Sequence, residues 1–378
     1  MQTILFFVTA AISLTWLVWR WRLPPSRDYG SVDAIIPAFN EELCIGEAVL
    51  GLLQNRYINR VIIVNDGSTD ATAELIDQMV EHNSRIVAVH QRNTGKGGAL
   101  MAGLARSTAP FVFLTDADTV LPHEGDGLGY MIGEMERGAD AVGGIPASNL
   151  NGAGLLPHIR ATVKMPMIVL KRTFQQFLGG APFIVSGACG LFRSDVLRQV
   201  PFSDRTKVED LDLSWSLVEK GFKVRQTSRC FVYSQECNSL KAEWLRWRRW
   251  IIGYAVCMRL HRKLLLTRFG LFSIMPMFLI VFFGVASYAT TLAPTLLGGQ
   301  FGRVPGVLFP ALWLAVVTLI GLISAIHQRR YWLIPLAPAA VFYVVLAYAI
   351  WLVHGLKGLL TGREPQRDKP TRYAHVVG

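Results

Sequence analysis

Apolar positions along the chain fall into two kinds of block. Four short runs, Val32–Pro37, Arg60–Asn65, Arg85–His90 and Pro110–Thr115, are rich in β-branched residues and each stops at a polar cluster. Between them lie stretches with apolar residues three and four apart, ending near Leu53, spanning Ala71–Glu81, and following Gly98. Strand, helix, strand, helix at this spacing predicts an α/β fold with a doubly wound, mainly parallel sheet. Phe183–Arg193 reads as a further strand with a glycine turn, and Val208–Trp215 as the opening of a helix that ends near Gly221. The second kind of block is longer: Thr3–Val18, Leu271–Leu297, Val307–Ala325 and Leu333–Val353 each have the length and polarity of a bilayer span.

The long blocks account for a hydrophobic share of 51% and a mean hydropathy of +0.34. The formal charge of +11 is compatible with an anionic membrane surface or with nucleic acid. Much of it lies beside apolar blocks, as Trp19-Arg20-Trp21-Arg22, Arg246–Arg249 and Arg329-Arg330, and no nucleic-acid module is recognisable, so the membrane reading is preferred. The first apolar run has its arginines after it, which reads as an uncleaved anchor over residues 1–22 with the following domain in the cytoplasm. The predicted order is then a cytoplasmic domain over 31–235, an interfacial amphipathic helix over 236–265, about three spans over 268–356 and a basic tail over 357–378, on a side left open. Leu156–Phe177 is a second amphipathic segment, set on the membrane or over the site. Five cysteines without zinc-like or redox spacing read as reduced thiols.

Candidate chemistry collects where the short runs end. The carboxyl edge of a parallel sheet is where such folds bind ligands, and here it gathers Asn40, Glu41, Asp66, Lys96, Asp116 and Asp118. Asp116-Ala117-Asp118 offers hard oxygen atoms suited to Mg²⁺ or Mn²⁺ on a phosphorylated substrate, or else a solvated turn. Asn93–Gly98 lacks P-loop spacing; it is a lysine and amides near a diphosphate, or a plain glycine loop entering a helix. Glu209 and Asp210 complement a helix dipole or supply a general base. Arg249 and Trp250 are interfacial anchors, or an arginine for a leaving diphosphate and a ring for a sugar.

In order and spacing, these motifs resemble the membrane-bound inverting glycosyltransferases of family 2, which include the chitin-oligosaccharide, poly-N-acetylglucosamine, hyaluronan and cellulose synthases. The resemblance covers about Ser31 to Gly253. It implies a GT-A-like fold plus transmembrane and interfacial helices. Pro37, Asn40 and Glu41 in PAFNE would lie on the opening nucleotide-binding strand, with Asp66 of VNDGSTD on the uracil and Lys96 of NTGKGGAL in the donor site. Asp116 and Asp118 would form the DxD motif, with Asp118 as metal ligand. Ser186, Gly187 and Glu209 would shape the acceptor site and Asp210 would be the catalytic base. Arg246, Arg249 and Trp250 match Q-x-x-R-W, with Trp250 reaching donor and acceptor. Arg246 departs from the usual Gln, as in ceramide glucosyltransferases, and Val208 replaces Thr.

The implied function is transfer of a sugar from a nucleotide-sugar, a UDP-sugar by resemblance, to a hydroxyl acceptor, with Mg²⁺ or Mn²⁺, giving a β-linkage in surface polysaccharide. The location implied is a bacterial-type inner membrane. The competing readings are a glycolipid synthase with a ceramide- or diacylglycerol-type acceptor and, more distantly, an inactive membrane scaffold or nucleotide sensor. The donor sugar and any partner subunits are not specified by these residues.

Overall fold

Strand β1 (Val32–Ala38) is buried along almost its whole length, as expected of a run apolar on both faces at the centre of a parallel sheet. It pairs in parallel with β2 (Ile58–Asp66) on one side and β4 (Phe111–Leu114) on the other, and β2 pairs in parallel with β3 (Ile86–Gln91). Pro37 sits in this central strand without cost to the ladder. The carbonyls of Ser31 and Ile35 accept from β4, so odd positions face that neighbour, and Pro37 lies beyond the last pair, Ile35 with Leu114. Asp33 is also fully buried, with Arg60, Ser107 and the amides of Thr108 and Ala109 around its carboxylate. Burial pushes this carboxyl up, but the Arg60 contact and these donors outweigh it and hold it below the usual range.

This computed structural model describes Val18 and residues 23–123, 125–203, 205–279, 308–328 and 330–361. The anchor expected over 1–22 lies, apart from Val18, outside the described residues, as do most of Leu271–Leu297 and most of the basic tail.

The eight strands take the order β3-β2-β1-β4-β7-β6-β8-β5, with β5 at Thr119–Val120, β6 at Ala141–Asn149, β7 at Gly190–Arg193 and β8 at Val224–Gln235. The first four are parallel, as the sequence predicts. The other half is mixed, because β7 runs antiparallel to β4 and β6, and β5 antiparallel to β8, while β6 and β8 are parallel. The strand expected over Phe183–Arg193 is extended only from Gly190; the residues before it form a turn. Helices α1 (Ile45–Leu53), α2 (Thr72–His82), α3 (Gly95–Arg106) and α4 (Gly127–Glu136) follow β1, β2, β3 and β5. Helix α5 (Leu155–Gly179) follows β6, α6 (Ser194–Gln199) follows β7, and α7 (Glu209–Glu219) precedes β8.

The chain divides into two units. The described part of the first lies within residues 18–152 and Arg172–Gln235, and one of its apolar clusters joins Ile36 and Ile63 of the sheet to Ile45, Leu52 and Ile132. The second takes Ala153–Lys171 from α5 and everything described from Glu236 on. In it, α8 (Leu240–Leu260) starts at Ser239, whose Oγ accepts from the Ala242 amide at 3.2 Å. Two further helices, α9 (Leu308–His327) and α10 (Ala340–Thr361), are apolar. Ile251 of α8 packs with Ile350 and Trp351 of α10. The lead-in to α10, Tyr331–Ala339, is a tighter helix that contains Pro335 and Pro338. Tyr331–Gly355, 25 residues whose most apolar 18-residue window has a mean hydropathy of 2.2, is the one helical stretch among the described residues long and apolar enough to cross a bilayer.

Three basic residues of α5, Arg160, Lys164 and Arg172, are turned onto polar groups of the protein. In the first unit Arg172 is buried, donating to the Gly144 carbonyl and to Gln226. In the second unit Arg160 and Lys164 are turned onto Glu236. All five cysteines are buried thiols outside any disulfide, matching the reduced-thiol expectation.

Candidate active site

Strand order reverses between β1 and β4, and the ends of both strands meet the polar clusters at this switch point. Asn40 ends the β1 run in the left-handed region, φ 55°, which asparagine tolerates better than most residues. Its Oδ1 accepts from the Thr69 amide at 2.7 Å, and its amide donates to Ser68 Oγ at 3.0 Å. The Glu41 amide donates to Thr72 Oγ1 at 2.8 Å. The PAFNE and VNDGSTD segments are thereby stitched together.

Asp66 turns its carboxylate onto the start of α3, accepting from the amides of Thr94 at 2.8 Å and Gly95 at 2.9 Å and from Gln91 Nε2 at 2.8 Å. It therefore fixes the glycine loop that carries Lys96. Gly67 has φ +75°, and a Cβ there would lie 2.9 Å from the Asn93 nitrogen, so this turn requires glycine.

Lys96 is the centre of the site. Its Nζ lies 2.5 Å from Asp116 and 3.3 Å from Glu209, with only 11% of the side chain exposed. Asp210, next to Glu209 in the first turn of α7, accepts from the Gly187 amide at 3.0 Å and from the Leu211 amide at 2.9 Å. A Cβ on Gly187 would stand 3.0 Å from Lys96 Nζ, so the glycine leaves room for the ammonium beside Asp210. Burial pushes Asp210 above the usual carboxylate range, and Glu209 and Asp116 add to the rise, while Lys96 and the Gly187 amide oppose it. Ser214 Oγ donates to the Asp210 carbonyl at 2.6 Å and accepts from the Val185 amide at 2.9 Å, which ties the turn before β7 to α7. Ser186 shapes that turn through its carbonyl, which accepts from Cys189.

Asp118 is buried, and a pair of hydroxyls braces it: Thr119 Oγ1 lies 3.1 Å from Asp118 Oδ1 and 2.8 Å from Ser234 Oγ. The Gln235 amide donates to the Asp118 carbonyl at 3.2 Å. Sequence reasoning missed Thr119 and Ser234, because their pairing depends on β5 meeting β8 across the sheet. Thr119→Val, by removing a hydrogen bond worth ~1 kcal/mol, is expected to raise the donor KM several-fold with kcat little changed, and Thr119→Ser to restore it. Steady-state donor titrations check this.

Arg246, Arg249 and Trp250 belong to the second unit, on α8. Arg246 is committed to carboxylates: it pairs with Glu236 at 2.8 Å and with Glu243 one turn back. Arg160 also pairs with Glu236, Lys164 joins it at 2.6 Å, and Tyr343 Oη donates to Glu243 at 2.5 Å. The guanidinium carbons of Arg246 and Arg160 lie 5.3 and 5.9 Å from the Trp250 ring centre, and Trp247 meets that ring edge-on at 5.6 Å. Arg249 is half-buried on the same helix. Glu243, three residues before Arg246, is a partner legible from helical spacing; Glu236 is not.

Burial pushes Glu236 up, yet Arg160 and Lys164 prevail and hold it at about 2. Burial and Arg160 pull Lys164 down, so the favourable charge energy rests chiefly on Glu236 with Arg160. A depressed carboxyl stabilises the fold above its unfolded value and loses that contribution as pH falls through its folded value. Acidification from about pH 5 to 2 is therefore expected to remove on the order of 3 kcal/mol, an effect absent in Glu236→Gln. Melts followed by tryptophan fluorescence measure it.

With this geometry in place, comparison with known proteins gives the chain its class. The profile for glycosyl transferase family 2 matches residues 33–200. The uncharacterized glycosyltransferase YaiP of Escherichia coli (strain K12) is 58% identical, over 100% of this chain and 95% of that protein. The poly-beta-1,6-N-acetyl-D-glucosamine synthase of Staphylococcus aureus (strain COL) is 30% identical over 59% of this chain and 54% of its own length. The chain thus matches about half of that synthase. Among solved structures, the mannosyltransferase PcManGT from Pyrobaculum calidifontis, in complex with GDP-Man and Mn²⁺, superposes with a TM-score of 0.58 at 17% identity, covering 93% of this chain and 96% of that one. The fold is that of the GT-A-like transferases. The chain is an enzyme of glycosyl transferase family 2.

Proposed function

We propose that this glycosyltransferase is a membrane-embedded inverting enzyme, transferring a sugar from a UDP-sugar to a hydroxyl acceptor with formation of a β-linkage in surface polysaccharide. The observation that carries the reading is the position of Lys96, between the donor-side carboxylate Asp116 and the acceptor-side pair Glu209 and Asp210. The match to the poly-beta-1,6-N-acetyl-D-glucosamine synthase supports a polysaccharide product. Tyr331–Gly355 supports the membrane reading.

Among the described residues no group of three or more His, Cys, Asp or Glu is arranged to hold a metal ion. A fully protein-built site is not what this chemistry needs, since Mg²⁺ is commonly held by one or two carboxylates together with substrate phosphates. Asp118, a braced carboxylate, fits that part, with Asp116 on the Lys96 side. PcManGT was solved with Mn²⁺. A divalent cation here would shield the charge of the diphosphate.

In the proposed reaction Asp210 accepts the proton of the acceptor hydroxyl, whose oxygen attacks the anomeric carbon opposite the nucleoside diphosphate. A base raised toward neutral pH by burial and by Glu209 suits that step. Lys96 gives positive charge to the leaving diphosphate, exchanging its contact with Asp116 for the phosphate oxygens. Asp66, Asn40 and Glu41 hold the loops around the nucleotide, and Ser186 and Gly187 flank the acceptor. Arg249 and Trp250 are assigned to the diphosphate and the sugar by resemblance. Arg246, in place of the usual Gln, favours a second reading with a lipid acceptor.

Full-length protein in detergent, given a panel of UDP- and GDP-sugars with Mg²⁺ or Mn²⁺ and a membrane lipid extract, is expected to release UDP. Labelled product would form a size ladder for a polysaccharide and a single lipid-soluble species for a glycolipid. No nucleotide release with any donor would leave the scaffold reading standing.

A further inference from the structure

Within the second unit, His354 is 6% exposed, and among the described residues neither of its ring nitrogens has a hydrogen-bond partner. A buried polar ring that none of the described residues meets calls for a partner beyond them. The ring stands in the last turn of the apolar stretch Tyr331–Gly355. Among the described residues, the charged groups acting on it are both cations: Arg248 from α8 and Lys357 from α10. Lys357, exposed and three residues on, shares its helix face. Trp244 meets the ring edge-on, with ring centres 5.1 Å apart. On α10 the neighbouring Leu352 and Val353 are about half exposed, an apolar flank beside the cations.

We propose that His354, Arg248 and Lys357, walled by Trp244, bind the phosphate group of an anionic membrane lipid where the apolar stretch ends. Two cations and an imidazole donor match a phosphate in charge and hydrogen bonding. Basic pockets between helices at the cytoplasmic surface hold lipid headgroups for this reason, and tryptophan favours the same depth. The exposed Leu352 and Val353 offer the surface along which an acyl chain lies. The site rests on reading Tyr331–Gly355 as a membrane span and is independent of the donor site.

The test uses the full chain in a neutral maltoside detergent. Bound lipid is followed by native mass spectrometry during titration with dioleoylphosphatidic acid, dioleoylphosphatidylcholine or inorganic phosphate. Phosphatidic acid is expected to bind saturably and more tightly than phosphatidylcholine. Lys357→Gln, at an exposed position, is expected to weaken it about fivefold, and His354→Phe, which keeps the ring volume, about tenfold. Equal binding of the two lipids, or variants that bind as wild type does, would overturn the site. Saturable inorganic phosphate at matching affinity would overturn the lipid source and assign a soluble anion instead. Alkaline carbonate extraction of cell membranes is read separately. Wild type and Lys357→Gln both remaining in the pellet supports the span, and release of both overturns the span and the lipid source together.

Discussion

Asp210→Asn is expected to lower kcat by about a thousandfold, the middle of the range for loss of a general base, while leaving UDP-sugar affinity within a few-fold. The amide keeps the shape and can still accept from the Gly187 and Leu211 amides through its oxygen, so the turn and α7 stay in place. What is lost is the ability to take a proton. Because burial and Glu209 raise this carboxyl, the wild-type rate should decline on the acid side at a pH above the usual carboxylate range. The sign follows from the ionised form being the active one. Nucleotide binding by calorimetry together with single-turnover transfer checks both halves. Wild-type turnover in the variant would sink the assignment.

Lys96→Met should cut kcat/KM by roughly a hundredfold or more, the scale set by removing one charge-stabilising group from a developing anion. Two losses combine. The leaving diphosphate loses a positive group, and Asp116 and Glu209 lose the ammonium that lies 2.5 and 3.3 Å from them. A second readout separates these from mere unfolding. Lys96 pulls Asp210 down, so its removal should move the acid limb of the kcat profile to higher pH. An unmoved limb with a normal melt would show that Lys96 acts on the donor alone. Lys96→Arg keeps the charge on a longer, planar group, and Gly187 leaves it little space, so only partial recovery is expected.

The position of the candidate site was largely readable because short apolar runs ending in Asp, Asn and Glu clusters mark strand ends of a parallel sheet. Val32–Ala38 and Phe111–Leu114 lie where that reading puts them, and the switch point between them follows from their order. The antiparallel half was less readable. β7 has four residues and β5 only two, too few to show a period. β6 contains Gly143, Gly144 and Pro146, which read as turn residues in isolation and are held extended by β8 alongside. Conversely, the helix signature of Leu156–Phe177 was correct in type, while the burial of Arg160 and Arg172 was not legible in it. Arg160, Lys164 and Arg172 look like a solvated face until their partners, Glu236, Gly144 and Gln226, are brought in from far along the chain.

By itself, then, the amino-acid order determined the alternating strands and helices, the carboxylates at their ends and the apolar stretch at Tyr331–Gly355, all properties of local pattern. Tertiary structure alone decided that Lys96 bridges Asp116 to Glu209, that Thr119 and Ser234 brace Asp118, and that Arg246 is held by Glu236. The physical reason is that a side chain's ionisation and free hydrogen-bonding capacity depend on which charges and donors lie within a few ångströms. For Lys96 and Glu209, which the chain separates by more than a hundred positions, only the folded sheet sets that distance.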